Sequence, residues 1–564
     1  MFGVYFVLLF LSSALIHVAN AGSNAEWRKR IIYQILTDRF AVDDGSTDNP
    51  CDPDANQYCG GTWKGIENKL DYIEDMGFNA IWISPIDKNI EGDIDGAGYA
   101  YHGYWNTDYE SLNEHFGTED DLVSLITAAH KAGIWVMLDS IVNSMALAPP
   151  LADADYSSLN PFNKESYFHP YCLIDWDITD NETNVMDCWQ DSGVLLADLD
   201  VESSDVSSYL SDHFKSLISK YDFDGLRIDA VKMMNYTFFP DFVDATGVYS
   251  VGEVFSYDPD TMCSYMSVLP GVTNYFLQLY INFSFTATGA GFTLIPTYQE
   301  VMASNCSKYD STLMLTFIEN HDLYRFPYYT SDQSQIMGAL SFVLIWDGIP
   351  SIFYGQEQGF NGGEDPANRP ALWLTDYDQS NPYYTVIKTM VAFRKFVITQ
   401  DPDWVTSTYQ SIESAVDHYV GQKNDVLVMF NNMGVTNNLT IYEVETNYTA
   451  NEVVSDVFGH RTLTVGADKT LTASMTNGYP LIMYPHSKMS GFTLPTVNRT
   501  VMPSTSATAT TTVYTSYYSP SYSARSFTGT GSIFTISSSS RLILSFKTLV
   551  FGLGVTAMLF VLFF

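Results

Sequence analysis

The chain has 564 residues, 46% of them hydrophobic, and sets 27 Lys+Arg against 65 Asp+Glu for a formal charge of -38. That length is too great for one ordinary domain. The charge excludes nucleic acid as a partner, because binding phosphate needs clustered Lys and Arg, and suits a solvated extracellular protein with a neutral substrate. Aromatic residues make up 15%; such rings stack on sugars, but they also fill cores, and composition alone favours the core.

At the N-terminus, Val4 to Ile16 is mostly apolar and Ala19-Asn20-Ala21 forms an A-x-A cleavage site. Residues 1–21 therefore read as a secretory signal peptide lacking a charged n-region. A membrane helix is the rival reading, but the run is short and globular sequence follows at once. From residue 22 to 399, short apolar runs alternate with longer amphipathic stretches. The runs are Ile31–Leu36, Ala80–Pro85, Ile134–Asp139, Phe223–Asp229, Val248–Glu253, Leu313–Asp322 and Ile349–Gly355. Buried strands alternating with helices imply a parallel sheet. Their number points to an α/β fold, a (β/α)8 TIM barrel, with residues 144–196 inserted as a small subdomain after the third strand. A doubly wound sheet is disfavoured because no Gly-rich phosphate loop follows the first strand. Residues 400–487 turn β-like, with runs at Val426–Phe430, Leu439–Tyr442 and Leu481–Met483, and read as a C-terminal antiparallel β domain.

Beyond this the composition changes. Residues 488–540 are rich in Ser, Thr, Tyr and Pro with almost no charge; they resemble an O-glycosylated stalk. Residues 541–564 are nearly all apolar after Lys547. No basic segment follows, as a stop-transfer helix would usually have. A GPI-attachment signal is the preferred reading over a membrane span. It places the protein at the cell surface, held at the plasma membrane or wall by a lipid anchor.

Six cysteines stand at 51, 59, 172, 188, 263 and 306. Export makes disulfides expected. The simplest of the connectivities open to six cysteines joins neighbours: Cys51 with Cys59, Cys172 with Cys188, Cys263 with Cys306. Glycosylation sequons begin at Asn181, Asn235, Asn282, Asn438, Asn447 and Asn498. A seventh, at Asn305, contains Cys306 and is a poorer acceptor.

Four of the expected strands end in an acid: Asp139, Asp229, Glu253 and Asp322. A single acid there is often a helix N-cap. Four would converge where the strands' C-terminal ends meet. Converging carboxylates either bind a metal or cleave a glycosidic bond, and the second use needs two unequal carboxyl groups. Arg227 lies two residues before Asp229, so on a strand both face one side. A guanidinium there is expected to hold Asp229 ionised, which makes Asp229 the nucleophile and Glu253 the general acid/base.

The chain resembles the α-amylase family, in particular its fungal extracellular members. The likeness rests on Gly225-Leu226-Arg227-Ile228-Asp229, Gly252-Glu253-Val254, Phe317-Ile318-Glu319-Asn320-His321-Asp322 and Leu196-Ala197-Asp198-Leu199-Asp200. Tyr58-Cys59-Gly60-Gly61-Thr62-Trp63, Tyr101-His102-Gly103-Tyr104-Trp105 and Asp365-Pro366-Ala367-Asn368-Arg369 also match. The likeness runs in order from about Trp27 to Pro485. It implies a barrel with an inserted B domain and a C-terminal β domain, and it makes Asp322 the third catalytic carboxylate. It also implies that His102, Tyr104, Trp105, His321, Asp365 and Arg369 line the donor sugar site, with Arg227 supporting the nucleophile and Lys232 among the substrate residues. A Ca²⁺ ion is implied at Asn143 and Asp198, with backbone carbonyls of Met186 and Met233.

Departures from the family pattern mark the chain. Ser144 stands where the family has a donor-site His, Met233 where it usually has another His, and Met186 where a third calcium carboxylate is expected. Lys64 replaces a Gln, and Tyr257 lies where a small Gly is often found. A GPI signal with altered subsite histidines resembles a fungal subgroup that works on cell-wall α-glucan. The expected function is retaining endo-cleavage of α-1,4-glucosidic bonds in α-glucan or maltooligosaccharide by a monomer. The alternatives are a 4-α-glucanotransferase remodelling wall α-glucan and an inactive glucan-binding wall protein.

Overall fold

The computed structural model describes residues 22–492, apart from 95, 152–154, 177–181, 192, 288 and 460. The expected signal peptide, the sequons at Asn181 and Asn498, the stalk beyond 492 and the apolar terminal run lie outside the described residues. Among the described residues, no helix is long and apolar enough to cross a membrane.

Eight parallel strands form the sheet that carries the site. They are β1 (Ile32–Gln34), β2 (Ala80–Ile83), β3 (Trp135–Ser140), β4 (Gly225–Ile228), β5 (Tyr249–Gly252), β6 (Gly271–Val272), β7 (Leu315–Thr316) and β8 (Ile349–Phe353). Their order is β6-β5-β4-β3-β2-β1-β8-β7. A parallel bridge between Thr273 and Leu315, with Asn274 N–H donating to the Leu315 carbonyl at 3.0 Å, joins β6 to β7 and closes the ring. The strands are buried on both faces, which explains their unbroken apolar runs. One face packs inside the barrel, where Ile32, Trp82, Met137, Val251 and Ile349 form one cluster. Trp27 plugs the N-terminal end of that cluster. It stacks on Tyr249 and donates its indole N–H to the Asp224 carbonyl at 2.9 Å. Burying a side chain of this size contributes on the order of 3 kcal/mol.

The surrounding helices bury one stripe each. Glu119–Lys131 starts at Thr118, whose hydroxyl and the Asp121 carboxylate cap each other's backbone, and it turns Leu122, Leu125, Ile126 and Ala129 to the core. After β3, Ser144–Leu147 pairs antiparallel with Leu195–Asp198, which also pairs with Gln190–Asp191. The Cys172–Cys188 disulfide ties this inserted segment; Cys51–Cys59 and Cys263–Cys306 are the other two. The C-terminal part is a six-stranded antiparallel sheet with a separate two-stranded antiparallel sheet, Leu439–Glu445 with Thr470–Met475. Its strand Val426–Asn431 alternates faces: Val426, Val428 and Phe430 pack toward the barrel, while Leu427 and Met429 fill the sheet's own core.

Two expectations change. β6 is only Gly271–Val272 and lacks the apolar run that marks its neighbours. β7 ends at Thr316, so Asp322 sits six residues beyond the strand, on the connecting loop.

Candidate active site

Arg227 organises the site. Strand register places it directly opposite Asp139 on β3 and Val251 on β5, and strand period places Asp229 on its own side. The guanidinium is 1% exposed. Its Nη1 donates to Asp139 Oδ1 at 2.9 Å and to Asp229 Oδ1 at 2.6 Å, and its Nη2 lies 3.0 Å from Glu253 Oε2. One buried cation therefore ties three carboxylates together. Asp139 is held further by the Trp82 indole N–H at 2.9 Å and the Tyr104 hydroxyl at 2.6 Å, both on Oδ2. Ala230, just after Asp229, adopts the left-handed backbone conformation at φ 50° and aims its N–H at Glu253 Oε2, 3.1 Å away. A non-glycine residue in that conformation costs about 1 kcal/mol or more.

Asp322 faces this group from the loop after β7. His321 Nε2 lies 3.2 Å from Asp322 Oδ2, and Arg369 Nη2 lies 3.5 Å from Oδ1. The Gln34 amide donates to His321 Nδ1 at 2.9 Å, which leaves the ring proton on Nε2, toward Asp322. Tyr104 stacks on His321 with ring centroids 5.0 Å apart and planes 8° apart. On the other side, Tyr275 donates its hydroxyl to Glu253 Oε1 at 3.2 Å.

Burial is the largest electrostatic effect on these acids. It pushes Asp229 up to about 8 against the pull of Arg227, with Glu253 and Asp139 adding like charge. Asp322 is pushed up to about 7 by desolvation within the cleft and then by Glu253, although 35% of its side chain reaches solvent, which weakens the effect. Asp139 also moves up through burial, opposed by Arg227. Arg227 opposes the rise at Asp229, as expected, but its guanidinium is shared among three acids. Asp139, Asp229 and Asp322 are thus all drawn toward the protonated form. His321 and His102 are driven well below their ordinary range, by burial and then by nearby arginines, and are neutral.

The remaining expected residues fall into three places. His102 is buried beside Tyr104, and its Nδ1 accepts the Tyr104 backbone N–H at 3.0 Å. Asp365 pairs with Arg369 at 3.0 Å, and Tyr101 links both through its hydroxyl. Trp105 is 7% exposed and packs against His102, Ile94, Ala146 and Val194, so it braces the wall from behind. Lys232 follows β4 in the turn Val231–Met233, half-buried; burial lowers its pKa against the charge of Asp258. Ser144 is buried at the start of its strand, in register with Asp198. Tyr275, Trp82, Gln34 and Tyr101 were not anticipated. Each sits in an apolar or polar run whose place beside the acids only the closed barrel reveals.

The residues expected to hold calcium come together. Asn143 Nδ2 lies 2.7 Å from Asp198 Oδ1 and 3.0 Å from the Met233 carbonyl. Rotating the amide by half a turn would present its oxygen instead. Met186 lies in the last turn of Glu182–Asp187, where carbonyls have no partner within the helix, and that helix packs on the Met233 turn. An amide oxygen, a carboxylate and backbone carbonyls fit a hard cation that takes oxygen ligands, with water completing the shell. Asp198 is the one carboxylate among the four, and its Oδ2 is engaged by His169 Nδ1 at 2.5 Å. That contact pushes His169 up to about 9. His169 was not foreseen; its Nε2 lies 3.3 Å from Glu202 and 3.7 Å from Asp200.

Among the other sequons, Asn438 and Asn447 are exposed, and Asn235 is half-buried. Asn282 lies within the helix Tyr275–Phe285 with its side-chain oxygen buried, a poor setting for a glycan.

Comparison with known proteins agrees with the fold that carries this site. Residues 34–416 match the family model for the alpha amylase catalytic domain, and residues 409–502 match that for alpha-amylase domain C. The chain is 46% identical over 474 residues to Alpha-amylase 1 of Schizosaccharomyces pombe, spanning 84% of this chain and 76% of that one. It is 44% identical to the Alpha-amylase of Saccharomycopsis fibuligera, over 82% of this chain and 93% of that one. Among solved structures, an alpha-amylase from Malbranchea cinnamomea superposes with a TM-score of 0.80 at 38% identity, covering 83% of this chain and 99% of the other. The chain belongs to the α-amylase family of glycoside hydrolases.

Proposed function

We propose that the protein cleaves α-1,4-glucosidic bonds within α-glucans by a retaining double displacement. Asp229 attacks the anomeric carbon, Glu253 protonates the leaving oxygen and then deprotonates the incoming water, and Asp322 holds the distorted sugar. The arrangement that carries this reading is Arg227 between Asp229 and Glu253. One guanidinium spans both, which supports the short separation of about 5–5.5 Å used by retaining enzymes over the wider gap that admits a water. The double displacement requires a proton on Glu253 when the glycosidic bond breaks and an ionised Asp229 to attack. Neutral His102 can donate its Nε2 proton to a sugar hydroxyl without adding charge, while neutral His321 turns its one N–H toward Asp322 and orients that carboxylate. A Ca²⁺ ion held by Asn143, Asp198 and the Met186 and Met233 carbonyls would brace the inserted segment against the β4 turn.

The test is the anomer released first from maltoheptaose, followed by NMR. The α-anomer is expected; the β-anomer would overturn retention. Asp229→Asn and Glu253→Gln should each lower kcat by at least about 10³-fold. Near-normal turnover in either folded variant would remove its assigned role.

Glucan transfer is the second reading, and two features favour it. Ser144 replaces a donor-site His, and Phe255, two residues after Glu253, is 41% exposed and packs edge-on against Tyr275, offering an apolar contact for a sugar acceptor. Products longer than the substrate would identify transfer. An inactive binding protein is disfavoured by the intact acids around Arg227. The Ser-rich spacer and uncharged apolar tail support a lipid-anchored protein at the cell surface. Release of the surface protein by a GPI-cleaving phospholipase tests that placement.

A further inference from the structure

Three tyrosines follow Asp322 on the β7 loop, and the mechanism uses none of them. Tyr324 and Tyr328 meet edge to face with centroids 5.0 Å apart, and Tyr324 and Tyr329 are near-parallel at 6.0 Å and 16°. Tyr328 is 56% exposed and Tyr329 50% exposed. Tyrosines that only pack are mostly covered, and an exposed aromatic cluster marks a binding surface.

The cluster is continuous with the donor side of the cleft. Tyr324 stands two residues after Asp322. A Cβ on Gly363 would come 3.0 Å from Tyr328 Cε2, so that ring lies against the backbone two residues before Asp365. The two loops are locked together beneath the rings. Arg325 N–H donates to the Gly362 carbonyl at 3.0 Å, and its Nε donates to the Asn368 carbonyl at 2.7 Å. The Arg325 guanidinium is itself paired with buried Glu319 at 2.9 Å, and Glu319 also accepts the Phe326 N–H. The backbone that carries the rings is therefore fixed before any ligand arrives, and the exposed parts of Tyr328 and Tyr329 are presented on a rigid base.

We propose that Tyr324, Tyr328 and Tyr329 form an accessory subsite that stacks a glucose unit of an α-glucan chain leaving the donor side of the cleft. The inference rests on the glycosidase reading above. A sugar ring offers an apolar face of C–H groups to an aromatic face and hydroxyls to the tyrosine rims. A neutral ligand also suits a protein of charge -38.

The platform should matter for chains long enough to reach it. The measurement is the ratio of kcat/KM on maltoheptaose to kcat/KM on maltotriose. Tyr328→Ala should lower that ratio about five- to tenfold, the scale of one lost aromatic contact. Tyr328→Phe, which keeps the ring, should retain it, and Tyr329→Ala should lower it as a second variant. An unchanged ratio in both alanine variants, or equal losses on both substrates, would overturn the platform. If the wild-type protein cleaves neither substrate, the glycosidase reading fails and the platform is tested by calorimetric titration with maltoheptaose. Weaker binding by Tyr328→Ala would then sustain it, and equal binding, or none by the wild type, would overturn it.

Discussion

The Tyr275 hydroxyl donates to Glu253 Oε1 at 3.2 Å while accepting the Asn320 amide at 2.8 Å. Tyr275 thus fixes one carboxylate oxygen of the proposed acid/base, and Arg227 and the Ala230 N–H fix the other. Tyr275→Phe removes that hold without opening space. A hydrogen bond contributes about 0.5–1.5 kcal/mol net, so kcat is expected to fall about 2- to 13-fold. KM should change little, because Tyr275 acts through Glu253. Steady-state kinetics on maltoheptaose checks the split; a rise in KM with kcat unchanged would make Tyr275 a binding residue instead.

Asp87 gives a prediction about stability. It is 3% exposed, and burial, followed by the charge of Asp108, pushes its carboxyl up to about 8. The unfolded chain binds this proton only below about 4. Its contribution is therefore fully present below that value and is lost as pH rises toward 8. Asp87→Asn keeps the neutral shape at every pH. The variant should match the wild type near pH 4 and melt about 2 °C or more higher near pH 8.5. Thermal midpoints at both values check this, and a pH-independent difference would refute the buried-acid account.

Much of this molecule is legible along the chain, for identifiable reasons. Strands such as β2 and β8 are buried on both faces and announce themselves as apolar runs. Arg227 and Asp229 share a face because strand period demands it. β6 escapes because a two-residue strand at Gly271–Val272 has no run to detect. The run Leu313–Asp322 overstates β7, because Phe317 and Ile318 are buried in a loop under the helices. Tyr275 escapes because Tyr275–Phe285 reads only as an apolar helix, and its first residue meets Glu253 through barrel closure. The charge state of the acids escapes too, since burial is a property of the fold.

The calcium site also makes a graded prediction. With Asp198 as its one carboxylate, affinity should fall in the weak range of about 10⁻⁴–10⁻³ M seen for extracellular sites. The thermal midpoint should keep rising into millimolar calcium, following mass action, and should drop in EGTA. Asp198→Asn should abolish the dependence. Differential scanning fluorimetry of the untreated protein, the chelated protein and the variant checks this; equal midpoints in EGTA and millimolar calcium would remove the ion from the account.

Ser144 bears on the balance between water and sugar as acceptors. It is buried, 6% exposed, and its backbone is fixed by antiparallel pairing with Asp198. A histidine there, as the family resemblance implies, would reach a donor-sugar hydroxyl directly; serine is shorter and reaches it through water. Losing a direct hydrogen bond to the transition state costs about 1–3 kcal/mol, or about 5- to 150-fold in rate. Slower attack by water leaves the glycosyl-enzyme longer for a sugar acceptor to intercept. Ser144→His is therefore expected to raise the hydrolytic kcat by at least about fivefold and to reduce the yield of products longer than the substrate. Ser144→Ala, which removes only a hydroxyl, should change neither by more than about twofold. Initial rates and product lengths on maltoheptaose decide the matter, and an unchanged or lower hydrolytic kcat in Ser144→His would show that the pocket has repacked around serine.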